Sequence, residues 1–214
     1  MKGDVINLND ENRQTAWDIV EPLLYEIKKA KGIYNISVAG ESGAGKSIIA
    51  AAIAEQLEND GIKVKIFQQD DYFRLPPFSN DTKRRANLMW VGTDEVNLSL
   101  IDQHLKEAKE GIKTIEKPLV IYPENRITTE VFDMTGIKVC IAEGTYTSLL
   151  KNIDKHIFID RDRFDTMEDR HKRGREVMDT FIEKVLEIEH DIISKHKDKA
   201  DIIIDKYFHV HFVK

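Results

Sequence analysis

The segment Gly40-Glu41-Ser42-Gly43-Ala44-Gly45-Lys46-Ser47 fulfils G-x-x-x-x-G-K-[ST]. It lies between a β-branched run, residues 33–39, and a small-residue helical pattern over 48–57. That order predicts a buried strand, a tight loop and a helix, the setting in which such a loop cradles phosphates. Glycines let the backbone curl around an anion with its N–H groups inward, and the helix N-terminus adds partial positive charge. Residues 40 to 47, with Ile48 in the first helical turn, are therefore the nucleotide-binding candidates. Lys46 is placed to reach the β- and γ-phosphates, and the Ser47 hydroxyl to hold Mg²⁺. A glycine-rich strand-to-helix turn that binds nothing is the alternative.

With 214 residues the chain suits one α/β domain, spanning 1–214, and its net charge of −6 draws it toward neither nucleic acid nor anionic lipid. The single cysteine, Cys140, sits in an apolar run, which rules out a disulfide framework and a thiolate metal cluster. The polar start carries no signal-peptide pattern, and no run of 18 apolar residues occurs. A cytoplasmic, soluble protein with no membrane or nucleic-acid partner is expected; a homo-oligomer is compatible with these numbers.

Along the chain, Ala16, Ile19, Val20, Leu23, Leu24 and Ile27 recur at helical spacing, so residues 1–32 contribute a helix packed on the core, which Pro22 bends or opens. A second strand is predicted over 63–68. The polar stretch 70–93, with Pro76-Pro77 and Lys83-Arg84-Arg85, reads as a long functional loop. A helix over 94–110, a hairpin from 112–121 and 127–132, strands at 137–142, 156–159 and 201–204, a helix over 177–193 and a terminal edge strand complete the pattern. Strands alternating with helices imply a mainly parallel, doubly wound sheet covered on both faces.

The second strand runs into Gln69-Asp70-Asp71-Tyr72-Phe73, and ligands gather at the carboxyl ends of strands in open α/β sheets. A carboxylate there can take the proton of an attacking hydroxyl, or can simply cap a turn. The apolar strand 139–142 closes on Glu143-Gly144, where a carboxylate binds Mg²⁺ directly or through water. Residues 161–176 are rich in cations, including Arg170, Lys172, Arg173 and Arg175. They read as a lid that clamps transferring phosphoryl oxygens, or as a solvated charged helix. Asp133-Met134-Thr135-Gly136 precedes its strand and no N-K-x-D string occurs, so a GTPase is disfavoured.

The ordered set GESGAGKS, QQDDYF, VCIAEGTY, FIDRD, RHKRGRE and DKADIIID resembles the uridine kinase branch of P-loop kinases, near phosphoribulokinase, over most of residues 33–205. The resemblance implies a P-loop NTPase fold with a five-stranded parallel sheet and a short lid, and transfer of the γ-phosphoryl of ATP to a small molecule's hydroxyl. It implies Lys46 and Ser47 as phosphate and Mg²⁺ ligands, Glu143 at the metal, Asp70 as base, and Arg173 and Arg175 as catalytic lid arginines. Tyr72, Phe73, Asp94 and Arg175 fall on the substrate side. The base-reading P-x-Y-D-F segment of uridine kinases, with the histidine and arginine that follow it, is not matched. Residues 117–126 place Leu119 at the tyrosine position and Glu124 near the histidine, with Arg126 following. The base-reading residues are therefore altered, and the acceptor is left open among nucleosides, sugar phosphates and other hydroxy compounds. Arg84 and Arg85 are candidates for holding an anionic acceptor, or belong to a solvated loop. The leading expectation is an ATP- and Mg²⁺-dependent small-molecule kinase; a nucleoside monophosphate kinase and a non-catalytic ATP-binding regulator are the alternatives.

Overall fold

The computed structural model describes residues 6–167, 170 and 179–214. Helix α1 (Asp10–Lys29) starts at a reciprocal cap, in which Asn9 and Asn12 each accept a hydrogen bond from the other's backbone N–H. Its inward stripe, Ala16, Ile19, Val20, Leu23 and Ile27, is buried, whereas Pro22 lies inside the helix on the solvent side. Strand β1 (Tyr34–Gly40) is buried along its whole length, as a central parallel strand covered on both faces must be. Helix α2 (Lys46–Asn59) follows the phosphate loop, and its alanines allow close packing on the sheet beside Ile49, Ile53 and Leu57.

Strand β2 (Val64–Gln68) is followed by a 3-10 turn, Gln69–Tyr72. The next stretch corrects the expected loop, because Pro77–Ala86 forms helix α3. Its sequence conceals this by having almost no apolar face. The helix buries Asn80 alone, and Pro77 in its first turn supplies the start signal. The expected helix over 94–110 is shorter: Thr93–Glu95 is a 3-10 turn, and α4 (Leu98–Lys109) begins after Asn97, whose side chain accepts from the Leu100 N–H. Strands β3 (Thr114–Ile121) and β4 (Arg126–Asp133) form a separate antiparallel hairpin. Then come β5 (Val139–Glu143), β6 (Lys155–Ile159), helix α5 (Thr180–Ile193), β7 (Ile202–Ile204) and β8 (Val210–Phe212).

The main sheet has the order β2-β5-β1-β6-β7-β8. Five strands are parallel, and β8, the terminal edge strand, adds an antiparallel sixth. One core layer lies between the sheet and α1 and α2; the other gathers Phe67, Tyr72, Leu105, Cys140 and Tyr146 on the opposite face. The register sets Val38 and Gln68 on either side of Glu143, so β2 and β5 end level with one another and β1 runs two residues further, to Gly40. That shared edge carries the candidate site. No described helix is long and apolar enough to cross a membrane.

Candidate active site

The phosphate loop turns through Gly43 and Gly45, at φ 83° and 100°, values that favour glycine. Gly45 caps α2 with no side-chain hydrogen bond, so the helix N-terminus is left for a ligand to satisfy. Lys46 donates from Nζ to the Glu41 carbonyl at 2.8 Å. Ile48 sits half-buried in the first turn of the helix. Glu41 is itself buried, with Oε1 2.6 Å from Nδ1 of His190 on α5. Burial pushes its carboxyl above the usual range, and His190 partly offsets this.

Ser47 Oγ donates to Glu143 Oε1 at 3.2 Å, joining the loop to the end of β5. Burial first and the charge of Asp70 second push the Glu143 carboxyl up to about 7, against the opposing influence of Lys46 and Ser47. A hydroxyl and a desolvated carboxylate, with a further carboxylate close enough to be felt, are the hard oxygen donors that Mg²⁺ prefers, and a divalent cation relieves that desolvation. The residues present fit the ion.

This shift has a consequence for the metal-free protein. Below about pH 4.5 Glu143 is protonated in both folded and unfolded chains. As pH rises, the unfolded chain releases its proton first while the folded one keeps it until about 7, so stability falls across that window. Urea midpoints in EDTA at about pH 5 and about pH 8 should therefore drop more in the wild type than in Glu143→Gln, by up to about 3 kcal/mol. Equal drops would show that Glu143 titrates normally.

Asp70, half-exposed in the 3-10 turn after β2, stands at the same edge. Its neighbour Asp71 has a different fate. Asp71 is buried, accepts from Lys117 Nζ at 2.8 Å through Oδ2 and from the Val120 N–H at 3.0 Å through Oδ1. Lys117, fully enclosed, also donates to Glu130 at 2.7 Å and to the Pro118 carbonyl. This cluster fastens the hairpin to the turn that carries Asp70. The hairpin tip is tied down as well: Asn125, at φ 46°, accepts from the Phe78 N–H at 2.8 Å, and Tyr122 meets Phe78 edge-on.

Several expected substrate residues are placed elsewhere. Tyr72 is a core residue, almost wholly enclosed, with its hydroxyl 2.9 Å from His104 Nδ1; a bulky ring following a strand end was absorbed by packing. Arg84 donates to Glu95 at 2.5 Å and Glu189 at 3.1 Å. Burial opposes its charge, but the two carboxylates together hold its pKa above the ordinary value. Arg85 pairs with Asp81 and Asp179, and Arg126 with Glu124. Arg84 is thus held in a buried carboxylate network, whereas the pairs of Arg85 and Arg126 lie at exposed positions. Asp94 is exposed, and its carbonyl accepts from Arg74, while the adjacent Glu95 is the buried carboxylate. Phe73 is half-buried against the second core layer.

Of the expected lid, 161–167 and Arg170 are described. A Cβ on Gly43 would meet Arg170 Cγ at 2.9 Å and Thr166 Cβ at 3.1 Å, so this part lies directly on the phosphate loop. Arg173 and Arg175 fall outside the described residues.

A sheet whose strand ends unite a phosphate loop, a Mg²⁺-type carboxylate and a second acidic turn, with an arginine-bearing segment over the loop, defines a P-loop kinase acting on a small metabolite. Residues 35–211 match the Phosphoribulokinase / Uridine kinase family, and the chain belongs to it. It is 28% identical over 185 residues to a bifunctional alpha-galactosidase/sucrose kinase from Mediterraneibacter gnavus, covering 80% of this chain but 20% of that protein. A uridine kinase from Ligilactobacillus salivarius is 30% identical, with 79% of this chain and 83% of that one covered. Among solved structures, D-glycerate 3-kinase from Cryptococcus neoformans aligns with a TM-score of 0.65 at 15% identity, over 96% of this chain and 100% of its own.

Proposed function

We propose that the protein transfers the γ-phosphoryl group of ATP to a hydroxyl of a small metabolite, with Asp70 as general base. The observation that carries this reading is the convergence of Lys46, Ser47, Glu143 and Asp70 on one sheet edge, while Asp71 is already committed to Lys117. Asp70 takes the proton of the acceptor hydroxyl as its oxygen bonds to the γ-phosphorus and the bond to the β-phosphate oxygen breaks, releasing ADP. Lys46 offsets the charge that spreads over the transferring oxygens. Ser47 and Glu143 would hold Mg²⁺, which supplies further charge neutralisation on the phosphates.

A pyrimidine-reading acceptor site is not supported. The hairpin offers Leu119 where an aromatic would stack, and Glu124 is turned to Arg126. The sucrose kinase and uridine kinase relatives between them span sugars and nucleosides, so hydroxyl transfer is the common ground. The test is ADP release with Mg²⁺ and ATP over a panel of sugars, polyols, nucleosides, sugar phosphates and hydroxy acids. At least one should be phosphorylated stoichiometrically with ADP; tight ATP binding without turnover on any would sink the kinase reading.

A further inference from the structure

We infer that His190 is a positioning residue for the donor's phosphates: it holds the Glu41 side chain and, through it, the Glu41 carbonyl that orients Lys46. This rests on the kinase reading above and adds a residue of α5 to its donor side.

Position 41 is one of those that G-x-x-x-x-G-K-[ST] leaves open, so the phosphate loop itself does not call for a carboxylate there. A carboxylate taken out of water is costly unless it is paired. Glu41 is buried, and its Oε1 lies 2.6 Å from His190 Nδ1, a residue 149 positions further along the chain. An ionised carboxylate only accepts, so Nδ1 carries the proton of this bond. The Arg163 backbone N–H also favours the charged form of Glu41, and the charge of Asp162 opposes it.

The backbone of the same residue faces the chemistry. Its carbonyl accepts from Lys46 Nζ at 2.8 Å and from the Ala44 N–H at 3.1 Å. Turning the Glu41 peptide would break these bonds and pull the side chain off His190, so pinning the side chain also fixes the direction of the carbonyl. Lys46 is thereby aimed before any nucleotide arrives, which spares the cost of ordering it on binding. The anchor is rigid because α5 is seated in the core by Ile182, Val185, Leu186 and Ile193, all buried. His190 itself is half-exposed, and among the described residues it bonds to Glu41 alone. Its ring thus serves the phosphate loop and not the packing of α5.

Calorimetric binding of a non-hydrolysable ATP analogue and of AMP, with no acceptor present, tests this role. AMP lacks the two phosphates that Lys46 reaches, so it reports damage to the loop that has nothing to do with Lys46. His190→Ala should weaken the analogue about tenfold and AMP less than about twofold, with the melting temperature lowered by no more than about 4 °C. Glu41→Ala should lose as much, and the double variant no more than either single one, because both remove the same link. His190→Asn, whose amide can donate to Glu41 Oε1 in place of Nδ1, should recover most of the loss. Wild-type analogue affinity in His190→Ala, equal weakening of analogue and AMP, or losses that add in the double variant overturns the inference. Each of these leaves the kinase reading standing, since turnover on the acceptor panel decides that separately. Wild-type protein that does not bind the analogue overturns both.

Discussion

Asp70→Asn should lower kcat about 10²- to 10⁴-fold while leaving ATP affinity within about twofold of the wild type. The amide keeps the size and most of the polarity of the carboxylate but cannot accept a proton, so the loss falls on the chemical step. The neighbouring carboxylate cannot take over: Asp71 has both oxygens engaged, by Lys117 and by the Val120 N–H, and is shut away from solvent. Removing the Asp70 charge has a second, opposite effect on the metal side. Asp70 is one of the influences that raise the Glu143 pKa, so the variant should bind Mg²⁺ with Glu143 more readily ionised near neutral pH. Single-turnover measurement of phosphoryl transfer, with nucleotide binding measured separately, distinguishes the two. An Asp70→Asn protein with unchanged single-turnover rate would remove Asp70 from the chemistry.

Much of this arrangement was legible before any coordinates. The phosphate loop, the two acidic strand ends and the hairpin follow from residue type and period, because each is encoded within one short segment. What was not legible depends on partners far apart in the chain. Lys83-Arg84-Arg85 reads as a free cationic cluster in sequence, yet Glu95 and Glu189 reach Arg84 from a turn and from α5. Two signals could have warned of such partners. Glu189 interrupts the apolar stripe of Ile182, Val185, Leu186 and Ile193, all buried, at a position due to face inward. Lys117 shares one face of β3 with the buried Ile115. A charge on the apolar side of an element implies a buried partner. Helix α3 escaped for the converse reason: periodicity detects apolar faces, and α3 is held by polar contacts such as Trp90 Nε1 to Asn80 at 2.9 Å and the Asn125 cap. The Tyr72 expectation failed because the family position says where the backbone goes, not whether the ring turns to ligand or to core.

Lys117→Met should be the most destabilising single substitution of those considered. The ammonium is fully enclosed and holds three acceptors, Asp71, Glu130 and the Pro118 carbonyl. Methionine fills most of the volume, so little cavity cost arises. The loss comes instead from Asp71, whose carboxylate keeps only the Val120 N–H in a site closed to water, whereas half-exposed Glu130 can turn to solvent. Breaking a buried pair by removing one partner costs about 3–5 kcal/mol, a large part of the total stability of a domain this size. The second substitution Asp71→Asn should recover most of that loss, because an asparagine oxygen still accepts from Val120 while no unpaired charge remains. Urea midpoints for the wild type, Lys117→Met and the double variant read the cycle directly. If the single variant unfolds at the wild-type midpoint, the Asp71 site admits water and the hairpin is not fastened there. The double variant also reveals what the ion pair does for activity. With the fold restored but the charged fastening gone, the 3-10 turn bearing Asp70 is held by one hydrogen bond to β3 instead of an ion pair plus that bond. Its kcat should then fall about tenfold with ATP affinity retained, since small misplacements of a catalytic group act on the chemical step. A double variant with both stability and wild-type kcat would show that Lys117 secures the fold alone and that Asp70 is positioned by its own turn.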